Sequence, residues 1–176
     1  MDVDITRADR EDRRRIMALF ELYMYDFSEI VGLDVGDDGR FHPPSIDAYF
    51  DDEKGAAFLV RVGGSLSGFV LLSWKSRLTG APDTRDVAEL FVMRRYRRRG
   101  VGERVAHELF SRFPGRWEVR QKAENTAAIA FWRSTIARFG DGAFDETVYD
   151  DERWRGPVQR FTSRSSPPAP RGDQGA

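Results

Sequence analysis

"AELFVMRRYRRRGVGERVAHELF", Ala88 to Phe110, contains the junction that decides the fold. It opens with strand-forming residues and closes with apolar residues at helical spacing. Between the two stand five arginines, Tyr96 and the glycines Gly100 and Gly102. A helix N-terminus leaves amide N–H groups without partners and carries a partial positive charge, so a glycine-rich turn entering it can hold an anion. Gly100 and Gly102 let the main chain approach where a side chain would obstruct, and the flanking arginines add charge and forked donors. A polyphosphate is the natural guest. Two other readings stay open from these residues alone: glycines that only shape the turn beside solvated arginines, and a nucleic-acid patch. The patch has Tyr96 as its one interleaved aromatic and no RNA- or DNA-reading motif. A dinucleotide fingerprint lacks its third glycine, Val105 standing there, and no "GK[ST]" is present for a P-loop.

The 176 residues, 40% hydrophobic and 32% charged, suit one globular domain with a continuous core. Lys plus Arg is 28 against 29 Asp plus Glu, a formal net charge of -1, so no whole-molecule field draws the chain to nucleic acid or anionic lipid. The arginine cluster is local, and no nucleic-acid partner is expected. The absence of cysteine excludes disulfides, thiolate nucleophiles and Cys-ligated zinc, and is compatible with a reducing compartment. "MDVDITRADREDRRR" carries charges of both signs where a secretory signal needs an apolar core, and no run approaches the roughly 18 apolar residues of a membrane span. A soluble cytoplasmic protein without a membrane partner is expected.

"VDITR" (3–7) reads as a strand. Asp9 can cap a long helix in which Ile16, Leu19, Phe20, Tyr23, Phe27 and Ile30 recur at helical spacing. Gly32, Gly36, Gly39 and "HPP" break that pattern, and "SIDAYFDDE" (45–53) offers a short second helix. "AAFLVRV" and "LSGFVLLSW" flank "GGS" (63–65) as a hairpin, followed by a strand at 85–93. A helix at 102–113, a strand at 116–123, a helix at 126–138 and two strands near 143–150 and 153–163 complete the order β-α-α-β-β-β-α-β-α-β-β. From Arg164, "RSSPPAPRGDQGA" has nothing to bury and reads as a disordered tail, 164–176. The fold class is α/β (α+β), one domain over 1–163.

The arrangement from "AELFVMRRYRRRGVG" onward resembles the GNAT superfamily of acyl-CoA-dependent N-acyltransferases. Its signature is Arg or Gln, two residues, Gly, one residue, then Gly or Ala, which Arg97, Gly100 and Gly102 match. The resemblance covers roughly residues 2 to 163 and is specific over Glu89 to Trp132. It implies a central mixed, mostly antiparallel sheet of about seven strands, splayed at the acetyl-CoA site and flanked by about four helices. It implies acetyl-CoA as cosubstrate and no metal. The pyrophosphate would lie on the turn of Arg97, Arg98, Arg99, Gly100, Val101 and Gly102, and the pantetheine arm along Leu90, Phe91 and Val92. "NTAAIAFW" matches a second recurring pattern of the family and implies that Asn125, Ala128, Phe131 and Trp132 flank the coenzyme. Asn125 is also an ordinary helix N-cap. The partner implied is an amine acceptor, and a homodimer is left open.

Acetyl transfer needs an uncharged amine, donors for the developing oxyanion and a proton for the departing thiolate. Strand alternation puts Glu89, Phe91 and Met93 on one face, and Ala88, Leu90 and Val92 on the other. Glu89 is the candidate base, with Asp26 and Glu29 in reserve; the plainer reading is a half-exposed glutamate paired with an arginine. After Phe131 the family commonly carries a tyrosine that protonates the thiolate, but this chain has Trp132, whose indole is not a useful acid. Thr135 and Tyr149 are poor substitutes, and a non-catalytic acyl-CoA-binding sensor is the alternative function. By resemblance the acceptor enters at "ELYMYDFSEIVGLDVGDDGRFHPPS" and the last hairpin. There Asp26, Glu29, Asp34, Asp37 and Asp38 would suit a cationic amine, and Tyr23, Tyr25 and Phe27 an apolar body. His107 has no second histidine at zinc-motif spacing and reads as structural.

Overall fold

Alternating and continuous apolar runs build one seven-stranded sheet in the order β1-β2-β3-β4-β5-β7-β6 in the computed structural model, which describes residues 1–140 and 142–164. Its elements are β1 (Val3–Arg7), α1 (Arg13–Val31), β2 (Gly55–Val62), β3 (Ser65–Ser73), β4 (Thr84–Val92), α2 (Val101–Arg112), β5 (Gly115–Arg120), α3 (Thr126–Phe139), β6 (Asp145–Asp150) and β7 (Arg155–Ser163). Asp9 starts the first helical segment by accepting from the amides of Glu11 at 2.8 Å and Asp12 at 3.2 Å, and Gly32 ends α1 in the left-handed region at φ 67. The β2–β3 hairpin turns on Gly63 and Gly64, both at positive φ. All neighbours pair antiparallel except β4 and β5, which α2 joins as a crossover.

The second helix expected at 45–53 is only a 3-10 turn, Asp47–Phe50. The Ser45 hydroxyl is occupied with Asp47, Ile46 anchors the segment by full burial, and the chain turns again at Asp51 directly into β2. Too few residues remain to propagate an α-helix. Three helices therefore flank the sheet among the described residues, not about four. The tail expected from Arg164 lies outside the described residues apart from Arg164 itself. No described helix is long and apolar enough to cross a membrane.

The core lies on both faces of the sheet. Val105, Leu109 and Phe110 of α2 and Trp132 and Ile136 of α3 pack on Phe58, Val70, Trp117 and Phe161. On the opposite face Ile16, Leu19 and Phe20 of α1 pack on Leu59, Phe69, Leu71 and Phe91. Burial on two sides explains why β2 and β3 read as continuous apolar runs.

β4 departs from strict alternation. Its register with β3 pairs Val87 with Leu72 and Glu89 with Leu71, so Ala88 is an extra residue. Val87 packs with the α2–α3 cluster and Ala88 with the α1 cluster, which corrects the face expected for Ala88. Parallel pairing with β5 ends at the same place: the last bridge is Val87 to Val119.

Candidate active site

Beyond the bulge β4 has one neighbour. Met93 donates its N–H to the Ser67 carbonyl at 2.8 Å, which fixes the alternation: the main-chain groups of Glu89, Phe91 and Met93 face β3. Those of Leu90 and Val92 consequently face the side that β5 has left, and the Val92 carbonyl accepts there from Arg97 Nε at 2.6 Å. Phe91 differs from its two neighbours. Its main chain is engaged with β3, and its ring is buried on the α1 side beneath the Arg97 guanidinium, 5.5 Å from the ring centre.

Arg97 is thus directed at α1, where it pairs with Asp26; Arg94 Nε reaches the same carboxylate at 2.8 Å. Asp26, expected as a reserve base and an acceptor-facing acid, is held by two guanidiniums instead.

The turn after β4 is a main-chain feature. Arg98 at φ 57 and Gly100 at φ 75 both adopt the left-handed conformation, which for a non-glycine residue costs about 1–2 kcal/mol. Such alternation curls successive N–H groups toward one point. The amides of residues 98 to 103 make no hydrogen bond among the described residues, and the first bond into α2 is Arg104 N–H to the Gly100 carbonyl at 3.0 Å. Arg98 and Arg99 are exposed, while Val101 is buried and anchors the turn to the core. The two glycines have different reasons. A β-carbon at Gly100 would meet nothing, so its backbone angle is the constraint; one at Gly102 would meet the Phe131 ring at 3.2 Å.

On α3, Asn125 Oδ1 accepts from the Ala128 amide at 3.0 Å, an N-cap. Ala128 and Phe131 are half-buried against the α2–α3 cluster. Trp132 is a core residue, 7% exposed, with its ring 5.0 Å from Phe131 and 6.5 Å from Phe110. Thr135 is fully buried and its carbonyl bonds His107 Nε2 at 2.8 Å, which ties α2 to α3. The Tyr149 hydroxyl lies 3.3 Å from Arg160 Nη2.

Glu89 projects to the α1 side beside Tyr23, 22% exposed, with one carboxylate oxygen 3.7 Å from Arg77 Nη1. Burial pushes its pKa above the ordinary glutamate value, opposed by hydrogen bonding from Tyr23 and by the charges of Arg77 and Arg120. Burial first, and then the Glu89 carboxylate, hold the Tyr23 phenol well above its usual range. Tyr23 packs on Phe20, Phe69 and Phe91. The other residues expected at the acceptor side differ in burial and partners. Tyr25 is 64% exposed, the Phe27 ring packs tilted on Tyr23, Glu29, Asp34 and Asp37 are exposed, and Asp38 pairs with His42 at 2.9 Å.

Three residues not singled out in the sequence complete this face. Buried Asp86 accepts from the Arg77 amide at 2.9 Å and lies 3.3 Å from Arg120 Nε. Charged residues at alternate strand positions, Asp86 in β4 and Glu118 and Arg120 in β5, opposite an apolar face, were the available signal. Among the described residues no group of three or more His, Asp or Glu is placed to hold a metal ion.

A model of the acetyltransferase (GNAT) family matches residues 16–135. Among solved structures, an acetyltransferase from Thermus thermophilus superposes with a TM-score of 0.68 at 15% identity, over 92% of this chain and 97% of that one. A PaiA N-acetyltransferase from Thermoplasma acidophilum in complex with coenzyme A gives 0.57 at 11% identity, over 92% and 99%. The ribosomal-protein-S18-alanine N-acetyltransferase of Escherichia coli gives 0.53 at 17% identity, over 95% and 97%. At these identities the likeness speaks for the fold alone. A search of curated proteins returned no match.

Proposed function

The chain belongs to the acetyltransferase (GNAT) family, and from that premise we propose that it is a cytoplasmic N-acetyltransferase. It carries an acetyl group from acetyl-CoA to a primary amine of a small molecule or peptide by direct attack in a ternary complex. The observation that carries this reading is a coincidence in β4. Where β5 leaves it, the strand turns Glu89 to the α1 face, presents the main-chain N–H groups of Leu90 and Val92 at its unpaired edge, and runs on into a turn of unbonded amides.

These groups fit the coenzyme by their donor chemistry. The amides of residues 98 to 103, with Arg98 and Arg99 beside them, would hold its pyrophosphate, while the edge of Leu90 and Val92 would hold the pantetheine arm. Phe91 and Val101 fix the strand and the turn from the core, and Asn125, Ala128 and Phe131 set the wall of α3. When bound, acetyl-CoA supplies an acyl thioester already activated toward nitrogen. Glu89 takes the ammonium proton, and its raised pKa moves it toward the operating pH of a general base. Tyr23 steadies the ionised carboxylate. Trp132, shut in the core, carries an indole N–H too weakly acidic to serve, and the thiolate takes its proton from water.

Coenzyme A release measured over a panel of primary amines tests the proposal. Turnover with at least one amine, strongly reduced in Glu89→Gln, is expected. Tight coenzyme binding without release on any amine would favour a non-catalytic acyl-CoA sensor, the reading that buried Trp132 also suits.

A further inference from the structure

Two arginines beside Glu89 have no hydrogen-bond partner for their guanidiniums among the described residues. Arg120 is 10% exposed at its side chain, and its Nε is buried without a partner. It lies 3.3 Å from Asp86 without hydrogen-bonding geometry, and an Asp86 oxygen is likewise buried and unpartnered. Arg77 reaches Glu89 only at 3.7 Å, outside hydrogen-bond range, and is 41% exposed. Burying a guanidinium without hydrogen bonds is expensive, and native structures nearly always satisfy such donors. Asp86 balances the charge of Arg120, but no neighbour satisfies its donors: the Trp154 ring lies on its guanidinium at 4.7 Å, which fixes the plane and leaves the edge donors free. Lys122 lies over the same ring at 4.6 Å and adds positive charge. Nearby Glu118 is spoken for, by Arg160 and by Ser76.

We infer that this pair of guanidiniums is the socket for a carboxylate on the acceptor, so that the substrate is an α-amino acid bound by Arg120 and Arg77 with its amino group at Glu89. A planar fork of N–H donors matches a carboxylate, and a stacked, preoriented guanidinium loses little freedom in binding one. The spacing selects the class. Arg77 stands next to the carboxylate of Glu89, so an amine on Glu89 has its anion close by, as when both groups hang on one carbon. Tyr23 and Tyr49, whose phenols burial holds above their usual range, lie within the field of Glu89 and Arg77 and offer aromatic surface to a side chain. This inference rests on Glu89 being the group that faces the acceptor amine.

The test compares the protein α-amino acids with their carboxamides as acceptors, in the parent, Arg120→Met and Arg77→Met proteins. With at least one amino acid the parent should favour the acid by at least about tenfold in kcat/KM. That ratio should collapse toward one in Arg120→Met and fall in Arg77→Met, which, being half exposed, keeps the test open if Arg120→Met fails to fold. Amides that equal their acids, or a preference that survives both substitutions, overturn the carboxylate socket and leave the acetyltransferase standing. If nothing turns over, the acetyltransferase reading fails on these acceptors and thermal shift with coenzyme A present decides the socket. Protection by millimolar amino acid but not by its amide, lost on substitution, supports it; no protection by any of them overturns it.

Discussion

At Asp86 and Val87, β4 is bridged on both sides, to β3 and in parallel to β5; between Glu89 and Val92 it is paired with β3 alone. The two stretches belong to one strand. The loss of β5 coincides with the bulge, where Ala88 has no matching residue in β3. The closed half acts as scaffold, with Val87 in the core and Asp86 buried beneath it. The open half leaves the main-chain N–H groups of Leu90 and Val92 without a second strand partner, an edge that proteins commonly cover. The change from one regime to the other falls at a single extra residue.

The largest expected effect belongs to the open half. Glu89→Gln should lower kcat/KM on an amine by about 10² to 10⁴-fold while leaving thermal protection by coenzyme A intact. Because burial raises the Glu89 pKa, activity in the parent should fall as pH drops through that raised value and the carboxylate takes a proton. In Glu89→Gln that acidic limb should vanish. Identical pH–rate profiles for the two proteins would transfer the role to water or another carboxylate.

The closed side should respond in stability instead. Trp132→Ala removes a buried ring packed on Phe110 and Phe131 and should cost about 3–5 kcal/mol in denaturant unfolding, whereas Trp132→Phe should keep turnover near the parent rate. Loss of turnover in Trp132→Phe at unchanged melting temperature would mean that the indole N–H takes part in chemistry. Gly102→Val sits between the two regimes. Its side chain would press on the Phe131 ring and should cost about 1–3 kcal/mol, partly recovered in the double variant with Phe131→Leu. Failure of the second substitution to recover anything would return Gly102 to a role in ligand approach. Smallest of all, Asp26→Asn should change stability by less than about 1 kcal/mol, since the side chains of Arg94 and Arg97 that it pairs with stay 65% and 39% exposed.

Periodicity alone made most of the fold legible. The strand at 85–93, the helix after Gly100 and the terminal hairpin fall within a few residues of their expected bounds, because each has a local pattern of 2 or 3.6 residues. What escaped was relational. A bulge is a mismatch between two strands, so alternation within β4 placed Glu89 correctly and Ala88 on the wrong face. Gly102 is small because of Phe131, 29 residues away on another helix, and Asp26 is occupied by arginines that follow it by 68 and 71 residues. The 3-10 turn at Asp47–Phe50 defeated a helical pattern because Ile46 is needed in the core. Arg77 and Arg120 were visible only as charges in a charged chain; their lack of partners is a property of the folded state.

The central claim is that the open half of β4 and the turn behind it hold the coenzyme through their main chain. Residue-resolved amide NMR with and without coenzyme A measures this directly. On binding, the amides of Leu90, Val92 and residues 98–103 should shift and exchange more slowly, while those of Glu89 and Phe91, already bonded to β3, should keep their exchange rates. Saturation by coenzyme A with no change at Leu90, Val92 or the turn, or with its changes confined to α1, would contradict the account.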